Sequence, residues 1–246
     1  FSAFSAAAND PSSSLLRSQA MGNVENFLSE SARINAQLSE LGGTVDARIA
    51  ANVERANDLL REINQLNSDI SRAKLTSGDA SGSENIQSQL VNELATLMNV
   101  RVALKSNGGV TVRSVEGLLL AGDGKAATLS YNRTDPTKGY IAVEPDGVMG
   151  FAQPIQITGG EIRGLMDLRD TTLPGMADQL GEFVSRAAEQ INAAHNKTTS
   201  SPAPNALTGR NTGLDLPTAV SGFTGKTTIA VVGGAGPNDG VVQHKV

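Results

Sequence analysis

No cysteine occurs in the 246 residues, which excludes a disulfide framework and a thiolate site. Tryptophan is also absent and aromatic residues make up only 3% of the chain, so no stacking platform for single-stranded nucleic acid exists. Cations are the minority charge, 20 Lys and Arg against 25 Asp and Glu for a net charge of -5. They are dispersed, whereas a nucleic-acid partner requires a basic stripe to neutralise phosphates. No apolar run approaches the ~18 residues of a membrane span. Neither of the two histidines has partners at zinc-ligand spacing.

What the chain does have is a long apolar seam. From Ala20 it runs Val24, Phe27, Ser31, Ile34, Leu38, Leu41 and Val45, then resumes at Ile49, Asn52, Ala56, Leu59, Ile63, Leu66, Ile70 and Ala73. Steps of four and three alternate, the heptad spacing that keeps one stripe toward a partner helix. Val45 to Ile49 is the single break, two fours in succession, which locally unwinds a supercoil. The register crosses Gly42-Gly43, so one bent helix is predicted over at least Ser14 to Ser71, with Asp10 as N-cap and Pro11 in the first turn. Asn52 either fixes helix register or faces solvent.

A second helix is predicted over residues 84–98, with Leu90, Leu94 and Leu97 toward Leu59, Ile63, Leu66 and Ile70. From Val100 the period becomes two. Residues 100–104 and 110–113 flank Asn107-Gly108-Gly109, a hairpin signal. Further strands are predicted at 117–120, 127–132, 140–143 and 154–158, with turns at Asp135-Pro136 and Pro145-Asp146-Gly147. Gly159-Gly160 opens a third helical stretch reaching His195, and Pro174 predicts a kink or restart within it. Its Leu180, Val184 and Ile191 are expected against the lower seam.

The expected class is α+β, mainly α: a long-helix bundle over residues 1–200 with a small antiparallel β meander inserted at about 99–158. Residues 201–217 read as a linker, and 218–246 as the start of a further β domain, cut short. The first residue is Phe1 and the last lies in a β-like run, so the chain reads as a fragment cut at both ends. The absence of a signal peptide then says nothing about secretion.

Asp167, Arg169 and Asp170 form the densest charge cluster of the third stretch. An acid/base pair or half a metal site would need a nearby histidine or a second carboxylate-rich motif, and neither exists. A helix surface pair or a subunit contact is the preferred reading. His195 sits where a helix dipole favours a cation. Gly225-Lys226-Thr227 lacks the glycine five residues earlier that a phosphate loop requires; Val220 is there. Gly233-Gly234-Ala235-Gly236 precedes Pro237 rather than a helix, so it is a turn. No catalysis, cofactor or metal is expected.

Several runs together resemble one family. They are Gly159-Gly160-Glu161, Gly164-Leu165-Met166-Asp167, Arg169-Asp170, Leu173-Pro174, and Ile191-Asn192 with His195. Upstream, Pro11-Ser12-Ser13 with Arg17, and Ile63-Asn64-x-Leu66 overlapping Leu66-Asn67-x-x-Ile70, fit the same pattern. It is similar to that of the bacterial flagellar hook-associated protein 1 family, the hook–filament junction proteins. The likeness covers about residues 1–200. It departs at Gln87-Ser88, where the family usually has Arg-Asp, and lacks the paired glycines after the histidine.

The resemblance implies a flagellin-like outer tube domain of a structural subunit joining hook to filament. It further implies self-assembly of the full-length protein, contacts with the hook protein and neighbouring junction or filament proteins, and an export chaperone. The location implied is extracellular, reached through the flagellar export apparatus. Gly160, Asp167, Arg169, Asp170, Pro174, Asn192 and His195 are the candidate assembly or family-motif residues. The alternative is another secreted coiled-coil structural, adhesin or translocator protein.

Overall fold

The alternating seam does build one helix. In the computed structural model α2 (Ser14–Leu75) is α-helical over 62 residues, unbroken through Gly42 and Gly43. The structure describes residues 2–10, 12–76, 78–122, 124–135, 138–145, 152–196, 213, 218, 228–232 and 241–245. A Cβ at Gly42 or Gly43 would meet nothing within 4 Å, so no close approach requires either glycine. The helix begins later than Asp10. Ser13 Oγ accepts from the Leu16 N–H at 3.4 Å, the reach of an N-cap hydroxyl to the third helical residue. Asp10 instead accepts from the Ser12 hydroxyl at 2.6 Å. A short helix not anticipated from composition, α1 (Ser2–Asn9), precedes it.

Contacts divide the chain into two units, Phe1–Ile34 with Gln179–Val246, and Asn35–Asp178. In the first unit the Phe27 ring meets Phe183 edge-on, with centroids 5.7 Å apart and planes at 77°. Ser31 is tolerated in the buried seam because its hydroxyl donates to Phe27 O at 2.8 Å. Strands β7 (Thr228–Val232) and β8 (Val241–Lys245) pair antiparallel, Thr228 opposite Lys245.

The second unit holds the main core. Along α2, Val45, Ile49, Val53, Ala56, Leu59, Leu60, Ile63 and Ile70 are buried. That stripe is broader than a two-position coiled-coil seam, as a helix covered by more than one partner demands. The partners include α3 (Ser81–Leu97), whose Leu94 and Leu97 join the same core, and strand residues such as Val112, Leu120, Leu129 and Val143. Asp79 Oδ1 accepts from the Ser81 N–H at 2.9 Å, which starts α3 three residues before the predicted position.

Two expectations about the seam change. Leu66 is only half-buried, and its neighbour Asn67 is buried in its place, 2% exposed. Leu180, Val184 and Ile191 belong to the first unit and are not part of the core built on Ile63.

The β insertion is antiparallel, as predicted, but divided into two three-stranded sheets. One contains β1 (Arg101–Leu104), β2 (Val110–Arg113) and β3 (Leu119–Ala121), in that order. The other contains β4 (Thr128–Asp135), β5 (Lys138–Glu144) and β6 (Gln153–Ile155). The β1–β2 hairpin turns through Gly108 (φ 92°) and Gly109 (φ 79°), left-handed conformations that favour glycine. Both also lie against α2. A Cβ on Gly109 would fall 2.2 Å from Asn67 Oδ1, and one on Gly108 would fall 2.9 Å from Ile70.

The third stretch is helical in three parts: α4 (Glu161–Asp167), a π-helical turn (Leu168–Thr172) and α5 (Leu173–Asn196). Pro174 explains the middle part. Its ring would collide with the carbonyl four residues back, and a widened turn just upstream relieves that. Within that turn the Leu173 N–H reaches Leu168 O, five residues back. Residues 201–212 of the expected linker, Gly225-Lys226-Thr227 and the Gly233–Gly236 turn lie outside the described residues, as do Pro136, Asp146 and Gly147 of the two strand turns.

Candidate functional site

Side-chain amides on α2 hold both sheets. Asn67 Oδ1 accepts from the Val110 N–H at 2.7 Å, and its Nδ2 donates to Val110 O at 2.8 Å and Gly122 O at 3.2 Å. Val110 lies beyond the end of β3, whose pairing with β2 stops at Val112–Ala121. The amide therefore stands where a β3 longer by two residues would face Val110, and satisfies backbone groups that burial would otherwise orphan. Gln87 Nε2 donates to the same Asn67 oxygen at 3.0 Å and to Ile63 O at 3.2 Å, tying in α3.

Asn57 repeats the device on the other sheet. Its Oδ1 accepts from Leu129 N at 2.7 Å and its Nδ2 donates to Leu129 O at 2.9 Å. β4 is an edge strand, so these are its open backbone positions. Between them, Asn64 accepts from Gly122 N at 3.2 Å and donates to Gly124 O at 2.7 Å. Asn99 performs a similar task after α3, accepting from Thr158 N and Gly159 N at 3.0 and 3.2 Å. Sequence reasoning did not single out Asn57 or Gln87 as a contact. It reached Asn64 and Asn67 only as members of a family pattern.

The charge cluster of the third stretch separates into an inner and an outer part. Asp167 is exposed and pairs with Arg163 at 2.7 Å, one helical turn back. Arg169 is not the surface residue that the sequence suggested: it is 6% exposed. It follows fully buried Ile162 by seven residues, so two helical turns bring it back to the face that α4 packs inward. There Nε lies 2.5 Å from Asp46 Oδ1 and Nη1 lies 2.5 Å from Asp170 Oδ1. The Nε contact is one of charge and proximity more than of aligned hydrogen bonding.

Asp46, from α2, is the centre of this node. The Tyr131 hydroxyl of β4 donates to Oδ1 at 2.7 Å, and Arg133 approaches Oδ2 at 2.9 Å. Burial foremost, and then the hydrogen bond to Asp46, push the Tyr131 hydroxyl well above the ordinary phenol value; the Arg169 charge opposes them. Burial works against the Arg169 charge, but the Asp170 hydrogen bond with the Tyr131 and Asp46 oxygens outweighs it and raises the guanidinium further. Each carboxylate of the node faces a cation. Such an arrangement fixes α2, β4 and the π-turn in one geometry.

The other candidates are placed as follows. Gly160 caps α4 at φ 85°, and a Cβ there would lie 2.5 Å from Leu97 O. Gly160→Ala should therefore cost about 3 kcal/mol, combining left-handed strain with a backbone collision. Urea unfolding checks this; a midpoint equal to the parent's would mean that α3 moves aside freely. Next to Gly160, Glu161 pairs with Arg48 of α2 at 2.7 Å. Arg48 first, then the Asn52 amide, hold the Glu161 carboxyl below its ordinary range. Asn52 Nδ2 is buried beside that carboxylate without an aligned hydrogen bond, so it neither pairs across a seam nor faces solvent. Pro174 is half-buried at the second position of α5. Asn192 and His195 are exposed on α5, in the first unit, with His195 in the last turn.

Comparison with known proteins gives this architecture a context. The flagellar hook-associated protein 1 of Salmonella typhimurium is 25% identical over 195 residues, 77% of this chain and 35% of that protein. The protein of the same description from Escherichia coli is 26% identical over 196 residues, 76% of this chain and 35% of the relative. The chain thus spans about a third of the length of these curated relatives. The solved flagellar hook junction protein FlgK from Burkholderia pseudomallei superposes with a TM-score of 0.62 at 26% identity, over 73% of this chain and 33% of that one. The family described as the flagellar hook-associated protein FlgK helical domain matches residues 1–208. A match over that much of the sequence, with the long helix and its sheets in place, means that the chain belongs to the family of flagellar hook-associated protein FlgK helical domains.

Proposed function

We propose that the chain is the helical part of a non-catalytic adaptor subunit at the junction of bacterial hook and filament. The family match over residues 1–208 carries this reading. The interior supports it: amide clamps and a charge-saturated node stiffen the second unit and leave no carboxylate of the node without a cation. On this reading the protein is secreted through the flagellar export apparatus with an export chaperone, and acts outside the cell. Its partners are further copies of itself, the hook protein and neighbouring junction or filament proteins. Asp167, Asn192 and His195, all exposed, are the contact residues; Gly160, Arg169, Asp170 and Pro174 keep their support in shape. The paired strands β7 and β8 belong to a further β domain.

The test is genetic. The source cell lacking this gene should assemble hooks but release flagellin into the medium, and the full-length gene should restore retained filaments. Normal filaments in the deletion strain would overturn the assignment.

A further inference from the structure

Strand β1 has an unusual position. Val102 and Leu104 lie directly opposite Val112 and Val110 in the ladder, so the four share one face of the sheet. Val112 and Val110 are 0% and 8% exposed, whereas Val102 and Leu104 are 43% and 89% exposed. The apolar face thus continues one strand past the core. The backbone of β1 is open there too. The Lys105 N–H bonds Gly109 O at 3.0 Å, and by antiparallel alternation Ala103 and Arg101 bond toward β2. The N–H and C=O groups of Val102 and Leu104 consequently point away from the sheet, along an edge with no neighbouring strand among the described residues. On the opposite face Arg101 stands directly across from Arg113. Both are exposed, and neither has a carboxylate partner among the described residues; Arg113 Nη1 donates to Gly117 O at 3.0 Å.

We infer that the β1 edge receives an extended segment of a partner protein in which carboxylate and apolar residues alternate. The added strand takes the outward backbone groups of Val102 and Leu104. Its apolar side chains extend the Val102–Leu104 face and its carboxylates lie over the Arg101–Arg113 pair. A second copy of β1 is the poorer occupant. The β1 strand itself, Arg101-Val102-Ala103-Leu104, carries no carboxylate to set over the Arg101–Arg113 pair.

Isotope-labelled full chain titrated with a peptide of alternating valine and aspartate tests this. The Val102 and Leu104 amides should shift and exchange more slowly, and the same peptide with lysine for aspartate should bind about tenfold more weakly. Arg101→Glu should reverse that preference. Val102→Pro removes one outward donor without touching the β1–β2 ladder, so it should abolish binding while the melting temperature stays unchanged. Equal binding of the two peptides, shifts centred away from β1, no binding at millimolar peptide, or a dimer formed through β1 would each overturn the inference.

Discussion

Asn67→Ala should lower the main unfolding transition by roughly 10 °C, the equivalent of about 3–5 kcal/mol. The side chain lost is small, and cavity formation contributes little. The cost comes from the groups left behind. Val110 N and O lose their partners, Gly122 O loses a donor, and Gln87 keeps only Ile63 O. Unpaired buried groups cost about 1–3 kcal/mol each. Asn67→Asp should be no milder, because it keeps the acceptor, loses the donor and brings a charge to a site 2% exposed. Differential scanning calorimetry of the full chain reads the effect. A transition within about 2 °C of the parent would mean that β2 is held by its apolar contacts alone.

Removing the cation at the centre of the charge node should be as damaging. Arg169→Met leaves Asp46 and Asp170 close together, with Arg133, half exposed, as the remaining cation. Breaking a buried pair in this way costs about 3–5 kcal/mol. The discriminating measurement is the double variant with Asp46→Asn. It should be more stable than Arg169→Met alone, since the stranded carboxylate is gone. Simple additivity would show that the pair contributes no coupling. Arg169→Glu, which places three carboxylates together, should be worse than Arg169→Met.

The same node sets an alkaline limit. The folded state raises the Tyr131 hydroxyl above its unfolded value, so the folded chain holds that proton more tightly. This contribution is fully present below about pH 10 and is lost as pH rises from there toward the folded value. Tyr131→Phe should show a flatter decline in stability above that pH than the parent. Parallel curves would mean that the hydroxyl titrates alike in both states.

What could be read from the sequence follows from which forces leave a period. The α2 seam repeats over many turns, and its register through Gly42-Gly43 predicted the unbroken helix. The hairpin at Asn107-Gly108-Gly109 announced itself through turn chemistry. The amide clamps had no such signature. An asparagine flanking an apolar stripe looks the same whether water or a strand edge receives it, and the Asn57–Leu129 contact joins residues 72 apart. Arg169 was misjudged for a different reason. Two positions after exposed Asp167 is nearly the opposite side of a helix, the side of buried Ile162, but a charged residue between aspartates was read by its type rather than by that rotation. The division of the β insertion was equally hidden, because strand pattern gives pairing direction but not where one sheet ends.

The amide clamps also decide how the unit answers to ionic strength. Pairs such as Arg55–Glu93 and Arg48–Glu161 are partly open to solvent, and their attraction fades as salt shortens the screening length to a few ångströms. The asparagine contacts carry no net charge and titrate nowhere in the physiological range. Sheets fastened by neutral amides stay fastened in dilute medium and in brine alike.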